Sequence, residues 1–256
     1  MPPPLEALGA IAAMPESALP HADFGDGRRV PVQFILYDLL RHEQALATGS
    51  RPGGRSEALR ILDLAQAAYG ELVGVLVGRA DELLETARDG EWSLRDLLRH
   101  AIAVELRYAA QVEYAATRRD EDPLAIPDDR LPCDRLAPPE PDFADSRTGG
   151  LARVLELLGE ARARSNGRLS SVPDAALGRP SFWGKLQMEL RMRLQQTAAH
   201  LTEVVIQAEK CVDAGLEPER RRILRRCCMT RGSHESWSDQ EARALLDARY
   251  RRLADA

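Results

Sequence analysis

Four long stretches of this chain return apolar residues every third or fourth position, and that spacing commits most of it to helices with one buried face. The first starts at about Ser56 and runs through Leu59, Leu62, Leu64, Ala68, Leu72, Leu76 and Val77. The second lies between Ser93 and Thr117. The third spans about Gly150 to Leu169, with Leu151, Val154, Leu155, Leu157 and Leu158 on its stripe. The fourth spans about Phe182 to Ala214, with Leu186, Leu190, Leu194, Thr197, Leu201, Val204, Val205 and Ala208. Alternating runs of Val, Ile and Thr are almost absent, so strands have little to form from. Ala, Leu and Arg, all good helix formers, are conspicuous. The chain is expected to be all-α.

The punctuation agrees. Ser93 with Asp96 three residues on is a capping-box pattern, and Trp92 just before it is placed to act as a hydrophobic staple. A short turn of helix at Asp81–Ala87 leads to the Asp89-Gly90 break. Residues 123–146 hold six prolines and many acids, and read as a long crossover between the second and third helices. Pro173, Gly178 and Pro180 form the next connection, and Gly215 is placed to end the fourth helix. Four helices with one long crossover are what a compact bundle needs to bury its stripes. Outside it, residues 1–29 read as a loosely held arm. Val32, Ile35, Leu36, Leu39 and Leu40 mark a short helix over 31–47, broken by Thr48–Gly54. A helix from Pro218 to about Thr230 follows the bundle, and Ser238 with Glu241 opens a last one to Leu253. The expected organisation is an N-terminal arm and short helix over 1–54, a bundle over 55–215, and an Arg-rich helical extension over 216–256.

Charge and cysteines exclude several classes. A net charge of -5 gives no general attraction for nucleic acid, which is not expected as a partner. No apolar run approaches the roughly 20 residues of a membrane span. Met1-Pro2-Pro3-Pro4 has neither the basic flank nor the apolar run of a secretory signal, so a cytoplasmic location is expected. The four cysteines, Cys133, Cys211, Cys227 and Cys228, are not spaced as a disulfide framework or a zinc cluster. The run Arg220, Arg221, Arg222, Arg225, Arg226 and Arg231 makes the last segment net positive. It reads first as a solvated or dimer-facing face, and a homodimer is an expected partner arrangement. Cys227, Cys228 and His234 follow it: thiols exposed beside arginines would be reactive, while on an amphipathic helix at least one is packing. No Gly-rich phosphate loop, Ser nucleophile elbow or paired catalytic carboxylates are present.

The segment Gly90-Glu91-Trp92-Ser93-Leu94-Arg95-Asp96-Leu97-Leu98-Arg99-His100, followed by Glu105, resembles the signature of the DinB-like family. His200-Leu201-Thr202-Glu203-Val204-Val205-Ile206-Gln207 resembles the matching part of the family's fourth helix. The resemblance covers about residues 55–215 and implies a DinB-like four-helix bundle. It also implies a site in which three imidazoles between two helices hold one divalent Zn, Ni or Fe ion, with open positions for water or a low-molecular-weight thiol. By that resemblance the metal ligands are His100 and His200, with Gln196 a candidate third, because the family's second histidine of the fourth helix is Val204 here. Glu105 is read as a buried ion-pair partner or a cap for another helix rather than a general base. Tyr108 and Tyr114 are read as packing residues with hydroxyls at the rim.

Two functions follow as expectations. The resemblance implies a metal-dependent enzyme that transfers or adds a small thiol, with its small-molecule substrate in the bundle cavity. The valine at position 204 instead favours a non-catalytic small-molecule-binding or protein-interaction bundle that has lost the metal site.

Overall fold

The computed structural model describes residues 7–8, 10–11, 14–15, 18, 29–49, 56–76, 79–87, 90–139, 142–212, 219–234 and 238–256. The expected N-terminal arm, the Thr48–Gly54 break, Asp89 and the Gly215–Pro218 connection lie largely outside the described residues. The chain is mostly helical and divides into two compact units: residues 55–214, and residues 1–54 together with 215–256. Seven helices are described: α1 Val32–Ala47, α2 Glu57–Leu76, α3 Leu94–Thr117, α4 Leu151–Leu169, α5 Leu190–Val212, α6 Glu219–His234 and α7 Gln240–Ala254. No helix among the described residues is long and apolar enough to cross a membrane.

The first unit is the bundle of α2 to α5. Helix α2 packs on α5 and α4, and α3 packs on α4 and α5, so the four close a ring. One end of the core joins Leu72 and Leu76 of α2, Leu98, Ile102 and Leu106 of α3, Val154 and Leu158 of α4, and Val204 and Val205 of α5. The other end joins Ala58, Ile61, Val112, Leu169, Leu190 and Leu194. Small residues let α2 and α5 approach between these ends, where Ala65, Ala68, Ala198 and Leu201 meet.

Helix starts are fixed from near and far. Ser93 accepts the Asp96 amide, the cap the sequence indicated, but the Asp96 carboxylate receives the Ser93 hydroxyl at 2.9 Å instead of reaching back to the chain. Gly90 before it takes φ 80°, a conformation glycine adopts without penalty. Ser56 accepts the Leu59 amide at 3.2 Å, and Asp174, distant in sequence, accepts the amides of Glu57 and Ala58 at the same helix start. Asp81, in a 3-10 turn, accepts the Leu151 amide at 2.7 Å and so caps α4. A Cβ on Gly150 would meet that carboxylate and push Asp81 from the cap.

Two expectations change. The fourth helix starts at Leu190, because residues 180–189 form an antiparallel hairpin, Pro180–Trp183 with Leu186–Glu189. Pro180 has no amide for a helical bond, and Gly184 at φ 59° turns the chain back after Trp183. Leu186, counted on the helical stripe, is therefore 46% exposed on the second strand. The last helix is capped by Asp239, which accepts the Ala242 amide at 2.7 Å, and not by Ser238.

The second unit joins the two ends of the chain. Helix α1 packs on α6 and α7, burying Val32, Ile35, Leu36, Leu39 and Leu40 with Ile223, Leu224, Leu246 and Leu253. At its centre Arg231 donates to both carboxylate oxygens of Glu43, at 3.1 and 2.8 Å, and to Asp247 at 2.9 Å. Tyr250 donates to Glu43 at 3.1 Å. Cys227 is buried here, while the side chains of Cys228 and His234 lie outside the described residues. Arg222 is also buried, so the arginine run is not a wholly solvated face. Cys133, Cys211 and Cys227 are free thiols.

Candidate functional site

Helices α3 and α5 bring His100 and His200 together. Each is half-buried, and their Nε2 atoms stand 3.2 Å apart with ring centroids at 5.0 Å. The crossover lies over this edge of α3. The carbonyl of Arg135 is 2.9 Å from His100 Nδ1, and the carbonyl of Cys133 accepts from Arg107 at 2.5 Å. A carbonyl only accepts, so His100 carries its proton on Nδ1 and presents a lone pair at Nε2. His200 then donates its Nε2–H across the helix interface. Trp92 meets His100 edge-on, with ring centroids 4.9 Å apart, and remains 46% exposed. The expected staple is thus a wall beside the histidine.

Arg193, two turns before His200 on α5, is 1% exposed. Its guanidinium lies 3.7 Å from the centre of the Tyr108 ring, donates to Gln196 Oε1 at 2.6 Å, and also bonds Gln111 Oε1. Its Nε is buried without a partner. Burial lowers the pKa of Arg193, the neighbouring Arg107 lowers it further, and Tyr108 opposes them. Burial also pushes His200 down to about 3, with His100 and Arg193 adding to the shift, so its imidazole is neutral near pH 7. His100 is lowered chiefly by burial, against the Arg135 carbonyl, which raises it.

The structure brings His100 and His200 together and places Gln196 one turn from His200, with its carbonyl oxygen engaged by Arg193. Val204, one turn beyond His200, is fully buried in the apolar core with Leu98 and Val205. Glu105 faces α4, where Arg162 donates to it at 2.7 Å with both side chains almost wholly buried. Burial raises the Glu105 pKa and Arg162 opposes that rise. Tyr114 donates to the Pro123 carbonyl at 2.7 Å. Further along α3, Ala110, Tyr114, Thr117, Ile126 and Arg130 line a separate open cleft of about 310 Å³. Cys133, near the site, is pushed up to about 11 by burial and is not a thiolate at neutral pH. No group of three or more His, Cys, Asp or Glu among the described residues is arranged to hold a metal ion.

The sequence reading did not single out Arg193, Arg107 or Gln111. The signal was present: Arg193, Thr197, His200 and Val204 recur at spacings of three and four, so the arginine shares the interior face of the histidine.

The family model of the DinB superfamily matches residues 61–203, more than half of the chain. The chain belongs to the DinB superfamily. No curated protein sequence matches it. Among solved structures, it is similar to one described as "YfiT from Bacillus subtilis is a probable metal-dependent hydrolase with an unusual four-helix bundle topology". The match is at 19% identity over 63% of this chain and 90% of that one, with a TM-score of 0.48.

Proposed function

We propose that this DinB-superfamily bundle binds a small molecule beside His100 and His200 and holds no resident metal there. The observation that carries this is Val204, an apolar core residue where the resemblance calls for the third imidazole. Two neutral imidazoles remain, and neither offsets the charge of a dication. Gln196 is neutral, and its oxygen already accepts from a guanidinium, which makes it a poorer donor to a metal. The charge of Arg193 acts on His200 and opposes a second cation. The donor set does not fit a three-ligand metal centre.

A second reading is favoured by one distance. Two ligands of a tetrahedral zinc at bond lengths of about 2.0–2.1 Å lie about 3.3 Å apart, close to the 3.2 Å between the two Nε2 atoms. The Arg135 carbonyl also fixes His100 in the tautomer a metal would need. On this reading a water or a small thiol completes the ion's shell, and thiol transfer or addition is the activity.

Metal content by mass spectrometry, on protein purified without chelator, separates the two. The first reading expects trace Zn, Ni and Fe in the parent, unchanged in His100→Ala, and near-stoichiometric zinc in Val204→His. Near-stoichiometric metal in the parent, lost in His100→Ala, sinks it.

A further inference from the structure

Arg162, Arg193 and Arg231 are the arginines among the largest fully buried side chains, each 1% exposed. Arg162 is paired with Glu105, and Arg231 with Glu43 and Asp247. Arg193 is the exception. Its partners are the neutral oxygens of Gln111 and Gln196 and the face of Tyr108. The next guanidinium, Arg107, is bonded to the Cys133 carbonyl and likewise meets no carboxylate among the described residues. A buried charge without a counter-charge is costly, and the chain resolves that cost for the other two arginines but not for this one.

We propose that the Arg193 guanidinium, with Arg107 and Tyr108 beside it, is the receptor for the carboxylate group of a small ligand seated next to the His100–His200 pair. This rests on the small-molecule-binding reading and names the class of ligand. The surrounding chemistry is that of an oxyanion site. With both glutamine oxygens turned to Arg193, the amide groups left on Gln111 and Gln196 are donors. Tyr108 offers a hydroxyl, while the single N–H of neutral His200 is already given to His100. Arg193 Nε is buried without a hydrogen-bond partner, but so are Arg162 Nε and Arg231 Nη2, and it is the missing carboxylate that sets Arg193 apart. A planar guanidinium binds a carboxylate through two parallel bonds, so an entering carboxylate displaces one or both glutamine oxygens and takes their place.

The probes are benzoate and succinate, with benzamide as the neutral isostere of benzoate and inorganic phosphate as a second anion. Binding to the full chain is followed by calorimetry and by the shift in melting temperature. Benzoate or succinate should bind and raise the melting temperature while benzamide does not. Arg193→Gln should weaken carboxylate binding by about ten- to a hundredfold, the range for a lost charge-assisted hydrogen bond, and Arg193→Lys should recover part of it. Phosphate binding as well as the carboxylates would define a general oxyanion site; phosphate alone would overturn the carboxylate assignment. No carboxylate binding in the parent, or equal binding in Arg193→Gln, overturns the proposal. A stability measurement without ligand guards against a purely structural role. Arg193→Met removes an uncompensated charge at the cost of leaving two amide oxygens unmet, so it should lose clearly less stability in urea than removal of the paired Arg162 by Arg162→Met; a variant that loses as much or fails to fold overturns the proposal equally. Metal content tests the underlying reading separately: stoichiometric metal with Arg193-dependent carboxylate binding defeats that reading and keeps the anion site.

Discussion

Helix α3 makes one buried ionic contact on each side of the bundle, and the two are built in opposite ways. Toward α4, Glu105 meets Arg162, and Ser165 donates to the Glu105 carbonyl at 3.0 Å. Toward α5, Arg193 meets two amide oxygens and an aromatic face. The first contact balances charge within the protein, although Arg162 Nε, like Arg193 Nε, is buried without a hydrogen-bond partner. The second satisfies hydrogen bonds but not charge. Interior arginines in this chain are thus not equivalent, and the counter-charge, not burial, separates a structural arginine from one left available to an anion.

That contrast can be broken most directly from the α4 side. Arg162→Met leaves Glu105 buried without a partner and should cost about 3–5 kcal/mol, read from urea unfolding. A cost close to zero would mean the pair is solvated and the contrast false. A smaller loss is expected on the α5 side from Gln196→Leu, which removes an acceptor of Arg193. It should cost about 1–3 kcal/mol for a buried donor left unmet, and added benzoate should offset part of the loss.

The smallest effect, taken one pH unit at a time, is that of pH. His200 ordinarily titrates near 6.5 and is pushed down to about 3 in the folded chain. Between those values the unfolded chain binds a proton there and the folded chain does not. The stability is complete above about pH 6.5 and falls as the pH drops through that window, by at most about 1.4 kcal/mol per pH unit. His200→Leu should remove about one proton from the uptake on unfolding near pH 5. An unchanged proton count would place a charged imidazole beside Arg193 and remove the reason for calling that side cation-averse.

Most of the bundle could be read from the sequence because its signals are local. The Ser93 cap, the stripe of Leu151, Val154 and Leu158, and the prolines of the crossover each act within a few residues of themselves. The hairpin was missed because Phe182, Leu186 and Leu190 also fit a helical period, and only Pro180 and Gly184 argued for a turn. The Asp239 cap was missed because Ser238 beside it is equally able to cap. The histidines were found through the family resemblance, but what surrounds them was not. Whether Arg193 meets a carboxylate depends on which residues α3 turns toward α5, and Arg162 with Glu105 shows that an arginine elsewhere in the same bundle is paired. The pairing of Glu43 with Arg231 spans 188 positions in sequence, beyond the reach of any local pattern.

That long-range pairing bears on the order of synthesis. Helix α1 is made before the bundle, while α6 and α7, which cover its apolar face, are made after it. Domains form as they emerge, at roughly 5–20 residues per second. Val32, Ile35, Leu36, Leu39 and Leu40 therefore wait about ten seconds or more on the ribosome with the bundle folding behind them. Glu43 stays solvated until Arg231 arrives. A chain stalled before Arg231 would carry α1 with its apolar face uncovered, which makes synthesis of α6 and α7 a step open to aggregation and chaperone capture.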